Sequence, residues 1–294
     1  IQHDNVFEGI RNAVVAARSA FSLKKSVIRD LVFEDQAGQG SPFDLNQVGV
    51  HAQFCPDVKI LENNISGVYR GVDASSSNII VLKDTINATV SQSDAPTAVS
   101  VTFGKLLSTT IEQNLITTCG VGIYGHSLFK PWKLLIHNNN ITLSDCDPSG
   151  FWGIRLSLCR NGTATDNIVR RGNPAQWQLD QGLAMTTCTS LRVAGNTFYD
   201  MYYGVQTTSS VNCTYTGNFA GSDPGGSGGG AANGFDAIAS TGLYCCNEVE
   251  DVTDNGFAFR GTSLPTDFKW SHITDAGLGL YLDKMGLIGT QTHK

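Results

Sequence analysis

The chain has 294 residues, with 26 acidic against 20 basic side chains and a formal charge of −6, and that balance disfavours a polyanion such as nucleic acid as partner. Charged residues make up only 16 % and glycine is abundant at 32. No apolar run approaches the roughly 20 residues needed to span a bilayer, so membrane insertion is not expected.

From the first residues onward the chain consists of short segments rich in Val, Ile, Thr, Phe and Tyr, separated by Asn, Gly, Asp and Ser. This is strand-and-turn grammar. The best helical candidate, RNAVVAARSAF from Arg11, also fits a strand register. One phrase then recurs: an apolar residue, two of any kind, Asn, one of any kind, an apolar residue, and later Gly followed by an apolar residue. It is clearest around Asn63 with Gly71, Asn114 with Gly122, Asn139 with Gly153, and Asn196 with Gly204. Weaker copies centre on Asn5, Asp30, Asp84, Asn167, Asn218, Asn247 and Ser271, with Ala13 and Ala98 standing in two Gly places. The result is about eleven copies at a mean spacing of about 27 residues, the period range of a solenoid.

A repeat that runs from end to end leaves no room for a domain boundary, so residues 1–294 form one elongated domain. Stacked copies place each strand parallel to its equivalent about 4.8 Å away, with apolar ladders inside. Asn tolerates a left-handed backbone and hydrogen-bonds through its own side chain, so an Asn at one corner of successive rungs can bond along the stack. The Gly place marks a bend where a side chain would collide.

The repeated N-x-Φ…G-Φ phrase resembles the right-handed parallel β-helix repeat of secreted bacterial proteins with the pectate-lyase-like fold, and the resemblance covers nearly the whole chain. It implies an all-β, single-stranded right-handed solenoid of about eleven rungs. For function it is unspecific, since such helices serve polysaccharide lyases, glycoside hydrolases, epimerases, adhesins and phage tailspikes. The closing LDKMGLIGTQTHK resembles segments of large surface proteins of Bacteroidota. Together with the lack of a signal peptide or initiator Met, this implies a fragment of a longer extracellular or cell-surface protein, associated with other parts of a larger assembly.

Spacing speaks about function. The distance from the Asn place to the Gly place is eight or nine residues in six copies but grows to between 14 and 19 at Asp30, Asp84, Asn139, Asn167 and Asn218. These insertions leave one corner of the coil, which in repeat proteins often marks the binding face. Each inserted loop carries an Asp, and three carry an aromatic: Phe43, Trp152 and Trp177. Acidic groups beside flat rings suit sugars, whose hydroxyls need acceptors and whose C–H faces stack on rings. The same tryptophans would equally serve as caps on the core. The glycine run from Gly225 to Gly230 reads as a loop tip.

Beside the loops, the residue two after each Gly place should point outward. That row reads His51, Asp73, Ser100, Tyr124, Arg155, Ala184, Gln206, Asp236, Ala258 and Tyr281. Tyr124, Trp152, Arg155, Trp177, Gln206 and Asp236 are therefore the candidates for binding a polysaccharide or surface glycan, although an ordinary solvated face would be polar too.

Catalysis has no clear signature. Hydrolases need paired carboxylates, and lyases need a base with the uronate charge neutralised by Arg or Ca²⁺. There is no DD pair, no RIK, only GHS at Gly125 to Ser127, and Asp147-Pro148 continues with Ser149. Asp147, Arg155 and Asp180 are the weak catalytic candidates by register, while His126 reads as a turn residue. No metal-binding motif is present, and Ca²⁺ would enter only with lyase chemistry.

Eight cysteines suit an oxidising compartment if they pair. Register sets Cys159 and Cys188 on consecutive rungs. Cys119 with Cys146, and Cys213 with Cys245 or Cys246, also fall on neighbouring rungs, at less well matched places. A ladder of free thiols packed as small hydrophobes is the other reading.

Overall fold

The computed structural model describes residues 5–9, 12–29, 31, 47–89, 96–102, 108–128, 133–144, 151–172, 180–224, 231–261 and 264–282. Phe43, Cys146, Asp147, Trp177, the Gly225 to Gly230 run and residues 283–294 lie outside that set. The described residues are all β, and their strands pair in parallel throughout. The chain is a right-handed parallel β-helix. Each turn visits three faces. The first face starts with Val6–Glu8 and Val27–Arg29, the second with Asn12–Ala17 and Val48–Gln53, the third with Phe21–Lys24 and Val58–Leu61. In the last two rungs, Glu248–Arg260 and His272–Leu282 run through the first and second faces as single strands, giving eleven levels.

Strand alternation explains the core. On the first face Ile65, Ile86, Ile116, Ile141, Val169 and Phe198 stack in register, each buried. Towards the C-terminal end the ladders of the other two faces become aromatic, with Tyr215 on Tyr244 at 4.5 Å on the third face and Phe235 on Phe257 at 4.8 Å on the second, between ring centroids. Flat rings at the rung spacing keep stacking contact where a branched aliphatic would only touch.

The corner between the third and first faces carries the Asn ladder. Asn114, Asn139, Asn167, Asn196, Asn218 and Asn247 are buried, and from Asn139 onward each Oδ1 accepts from the backbone N–H and the side-chain amide of its neighbour on the preceding rung, while Asn114 Oδ1 accepts only the backbone N–H of Asp84. For Asn167 those bonds come from Asn139 at 3.0 and 2.9 Å, while its own Nδ2 donates to the Ile136 carbonyl and to Asn196 Oδ1. The left-handed conformation belongs not to these Asn but to the residue before each, as at Glu62, Gln113, Asn138 and Asp166. The αL residue makes the turn, which frees the Asn to face inward and satisfy the corner. The second rung also differs from the sequence expectation: its corner residue is Ser26, whose N–H donates to Asn63 Oδ1, four positions before Asp30. Asp30 itself lies outside the described residues. Replacing Asn167 by Ala strands two donors on Asn139 and a carbonyl, and should cost about 3 kcal/mol in denaturant unfolding, at roughly 1 to 3 kcal/mol per abandoned buried group.

The Gly place works through close approach. A Cβ on Gly122 would lie 2.5 Å from the Gly153 carbonyl oxygen and 2.7 Å from Ile141 Cγ2. No side chain fits between the first-face ladder and the next rung.

Six described cysteines are free thiols: Cys55, Cys159, Cys188, Cys213, Cys245 and Cys246. Cys159 and Cys188 are buried on adjacent rungs, with the following residues Arg160 and Thr189 bridged in parallel. Their mutual contact, together with burial, pushes the Cys159 thiol well up. Cys119 is not among the free thiols, and the cysteine suggested for it, Cys146, is outside the described residues. Cys213 does not face Cys245 or Cys246. It is in register with Gly242, and Cys245 lies opposite Thr216.

Candidate functional site

All five long connections leave the corner between the first and second faces, at residues 30–47, 89–96, 144–151, 172–180 and 222–230. The outer surface of the second face lies beside them. Its register is the expected one: His51, Asp73, Ser100, Tyr124, Arg155, Ala184, Gln206, Asp236, Ala258 and Tyr281 are consecutive partners up the stack.

Three side-chain groups stand on this surface. The central one is built by the bend at the Gly place. A Cβ on Gly153 would meet Val169 in the core, and Ile154 is buried beside it. Two successive inward residues leave Trp152 and Arg155 both pointing outward. The Arg155 guanidinium lies 4.5 Å from the Trp152 ring centroid and 5.7 Å from that of Tyr124, its partner one rung earlier. His126, two residues after Tyr124 on the same strand, stacks on it at 5.9 Å with 16° between the ring planes. His126 is thus the last residue of the strand Val121–His126 rather than a turn residue. Three rings and one cation form a continuous platform. Each exposed cation–π contact is worth about 0.5 to 1 kcal/mol, which favours keeping the guanidinium against the two rings.

The N-terminal group is a charge network. Asp73 accepts from His51 Nδ1 at 3.1 Å and faces Arg70 at 3.6 Å. Burial works against its charge, but His51, Arg70 and Ser100 outweigh burial and hold the carboxyl below its usual range. The C-terminal group centres on Asp236, which is buried, takes a hydrogen bond from Gln206 at 3.2 Å and pairs with Arg260 Nε at 2.9 Å. Here burial prevails and the carboxyl is raised. Asn255 donates to Asn233 at 2.8 Å alongside. By rung count Asp236 stands about 14 Å from Arg155.

The structure therefore brings Tyr124, Trp152 and Arg155 together, and Gln206 with Asp236. Asp180 sits elsewhere: it is wholly buried and pairs with Arg171 at 3.2 Å, which pins the two ends of the 172–180 connection. A charged pair so enclosed is an anchor for the loop, and its removal from either side leaves a buried charge. Asp147 and Trp177, the remaining candidates, are outside the described residues. Arg70, Arg260, Asn233 and Asn255 were not singled out from sequence, and His126 was read only as a turn residue, because only one outward row was followed. Trp152, Arg70, Asn233 and Asn255 share a second row, immediately before the Gly place, and His126 and Arg260 share a third, four after it. Among the described residues no group of His, Cys, Asp and Glu could hold a metal ion, and no helix is long and apolar enough to cross a membrane.

No protein-family model matches the chain, and no curated protein matches it in sequence. Solved structures do. PfbA, a surface adhesin of Streptococcus pneumoniae, superposes with a TM-score of 0.55 at 9 % identity, over 94 % of this chain and 75 % of that one. The A-module of the Azotobacter vinelandii mannuronan C-5 epimerase AlgE6 gives 0.45 at 9 % identity, over 93 % and 80 %. A GH136 lacto-N-biosidase from Eubacterium ramulus gives 0.45 at 12 %, over 92 % and 51 %. The likeness to PfbA is one of fold. The parallel β-helix is shared, while the residues on its surface are this chain's own.

Proposed function

We propose that this β-helix is a glycan-binding module of an extracellular or cell-surface protein, adhesive in role, whose binding surface is the outer second face beside the long connections. The observation that carries the proposal is the platform of Trp152, Arg155, Tyr124 and His126. Flat rings offer stacking surface to sugar C–H faces, and a guanidinium held across two rings keeps its N–H edge available. The other two cations nearest this ladder are already matched, Arg70 to Asp73 and Arg260 to Asp236. Arg155 has ring contacts and no carboxylate partner among the described residues. That difference favours a saccharide bearing a carboxylate or sulfate, despite the acidic chain as a whole.

A polysaccharide lyase or hydrolase using the same face is the second reading, favoured by the titratable His126 on the platform and by Asp236, a carboxyl raised by burial. One panel separates the two. The protein is offered acidic and neutral polysaccharides, and both retention and the appearance of reducing ends or unsaturated uronates are recorded. Binding to acidic glycans without turnover is expected. Turnover would replace the adhesive reading with the enzymatic one.

A further inference from the structure

Cys245 and Cys246 close the third-face strand Thr241–Cys245 and are the two free thiols that reach solvent, the other described ones being buried. Their sulfurs stand 2.8 Å apart, inside van der Waals contact. The surroundings leave them open. At the corner one rung below, the place of Cys246 is taken by Gly217, around whose Cβ position nothing lies within 4 Å. One rung above stands Trp270, 84 % exposed. Lys269 and Asp267, the charged neighbours, are bonded to each other. Cys246 itself is in the left-handed conformation, and its N–H donates to the Lys269 carbonyl at 3.0 Å, so the corner is fixed by backbone bonds rather than by the thiols.

We propose that Cys245 and Cys246 form a reactive vicinal dithiol that is oxidised by low-molecular-weight disulfides to an internal, readily reversed disulfide. In the first step the more exposed Cys246, as thiolate, attacks one sulfur of the small disulfide. That S–S bond breaks, one small thiolate leaves, and a mixed disulfide remains on Cys246. Cys245 then gives its proton to solvent and attacks the Cys246 sulfur. A Cys245–Cys246 bond forms and the second small thiolate departs. Two protein thiols are oxidised and one small disulfide is reduced to two thiols. With the second thiol already in contact, the second step is fast and the mixed disulfide does not accumulate.

Adjacent residues bring Cα atoms to about 3.8 Å, below the roughly 4.4 to 6.8 Å that disulfides favour. The bond is therefore strained and more reducible than a structural one, which makes the site responsive to its surroundings. Its place on the third face keeps it apart from the glycan platform, so the two proposals stand independently.

The test treats the folded protein with excess oxidised glutathione and maps peptides without reductant. The expected product is the peptide containing Cys245 and Cys246, lighter by two hydrogens, free of glutathione and restored by dithiothreitol. Cys245→Ser should instead hold a lasting glutathione adduct on Cys246. An unmodified native protein, or one carrying a lasting adduct at this pair, would overturn the proposal.

Discussion

Replacing Ile141 by Asp is expected to abolish the folded state under ordinary conditions. Ile141 is fully buried, lies between Ile116 and Val169 in the first-face ladder, and packs against the bend at Gly122. An aspartate there has no cation or donor within the stack, and a buried unpaired charge costs about 4 to 5 kcal/mol or more. Its neighbour Thr142 faces outward on the same strand, half-buried. Thr142→Asp should change stability by only about 0.5 kcal/mol. Denaturant unfolding of the pair reads the inside and outside of one strand one residue apart, and equal losses from both would break the assigned register.

Asp84→Asn is expected to stabilise the protein strongly at neutral and alkaline pH. Asp84 occupies an Asn place in the corner ladder and is buried. Its Oδ1 accepts from the backbone and side chain of Asn63 at 2.6 and 2.8 Å, as an Asn oxygen would. Its Oδ2 stands where every neighbouring rung has an amide nitrogen, and it has no partner. In those rungs the nitrogen donates to the next Oδ1 and to a strand carbonyl, as Asn114 does to Asn139 and Val81. A carboxylate oxygen cannot donate there; a protonated one can. Burial, reinforced by the charge of Glu62, pushes the carboxyl up to about 7 against the bonds from Asn63.

The sign follows from that raised value. In the unfolded chain an Asp titrates near 3.9. The stabilising contribution of Asp84 is whole below about pH 4 and is lost as pH rises through about 7. A shift of about three units corresponds to about 4 kcal/mol at the upper plateau. The Asn variant should therefore match the native protein near pH 4 and exceed it by a gap that widens up to about pH 8. Thermal melts across that range check it, and a gap independent of pH would mean that Asp84 is already satisfied.

The fold was legible because its determinant is periodic. Ile65, Ile116, Ile141 and Phe198 recur at a fixed offset from an Asn, and a period of this kind has few physical solutions besides stacked rungs. The register of the row from His51 to Tyr281 followed from alternation, but its exposure did not, since Asp73, Ser100, Ala184, Asp236 and Ala258 in it are buried. What escaped were features that period does not encode. At Ser26 the ladder accepts a hydroxyl residue whose backbone does the bonding, so the eye is drawn to Asp30. The left-handed turn falls on whatever precedes the Asn, including Glu62 and Gln113, residues with no turn preference.

In the candidate site, Trp152 and Arg155 were legible as single residues, but their stacking was not. It depends on two inward residues in succession at Gly153 and Ile154, a break in alternation that only the bend reveals. Asp180 looked available because it borders an insertion. Its burial against Arg171 depends on a contact between the two ends of that insertion, and spacing carries no trace of such a contact.

The most direct test of the glycan-binding account is titration of native, Trp152→Ala and Arg155→Ala proteins with an acidic oligosaccharide retained by the native protein, with a melting curve for each. Trp152→Ala should weaken binding by about 1 to 3 kcal/mol, the scale of an aromatic anchor, and Arg155→Ala by a comparable amount that shrinks as salt is raised. Both should melt within a few degrees of the native protein, since neither side chain enters the core. Unchanged affinity in both variants, or a lower melting temperature as the main effect, would contradict the account and leave the platform as a cap on the second face.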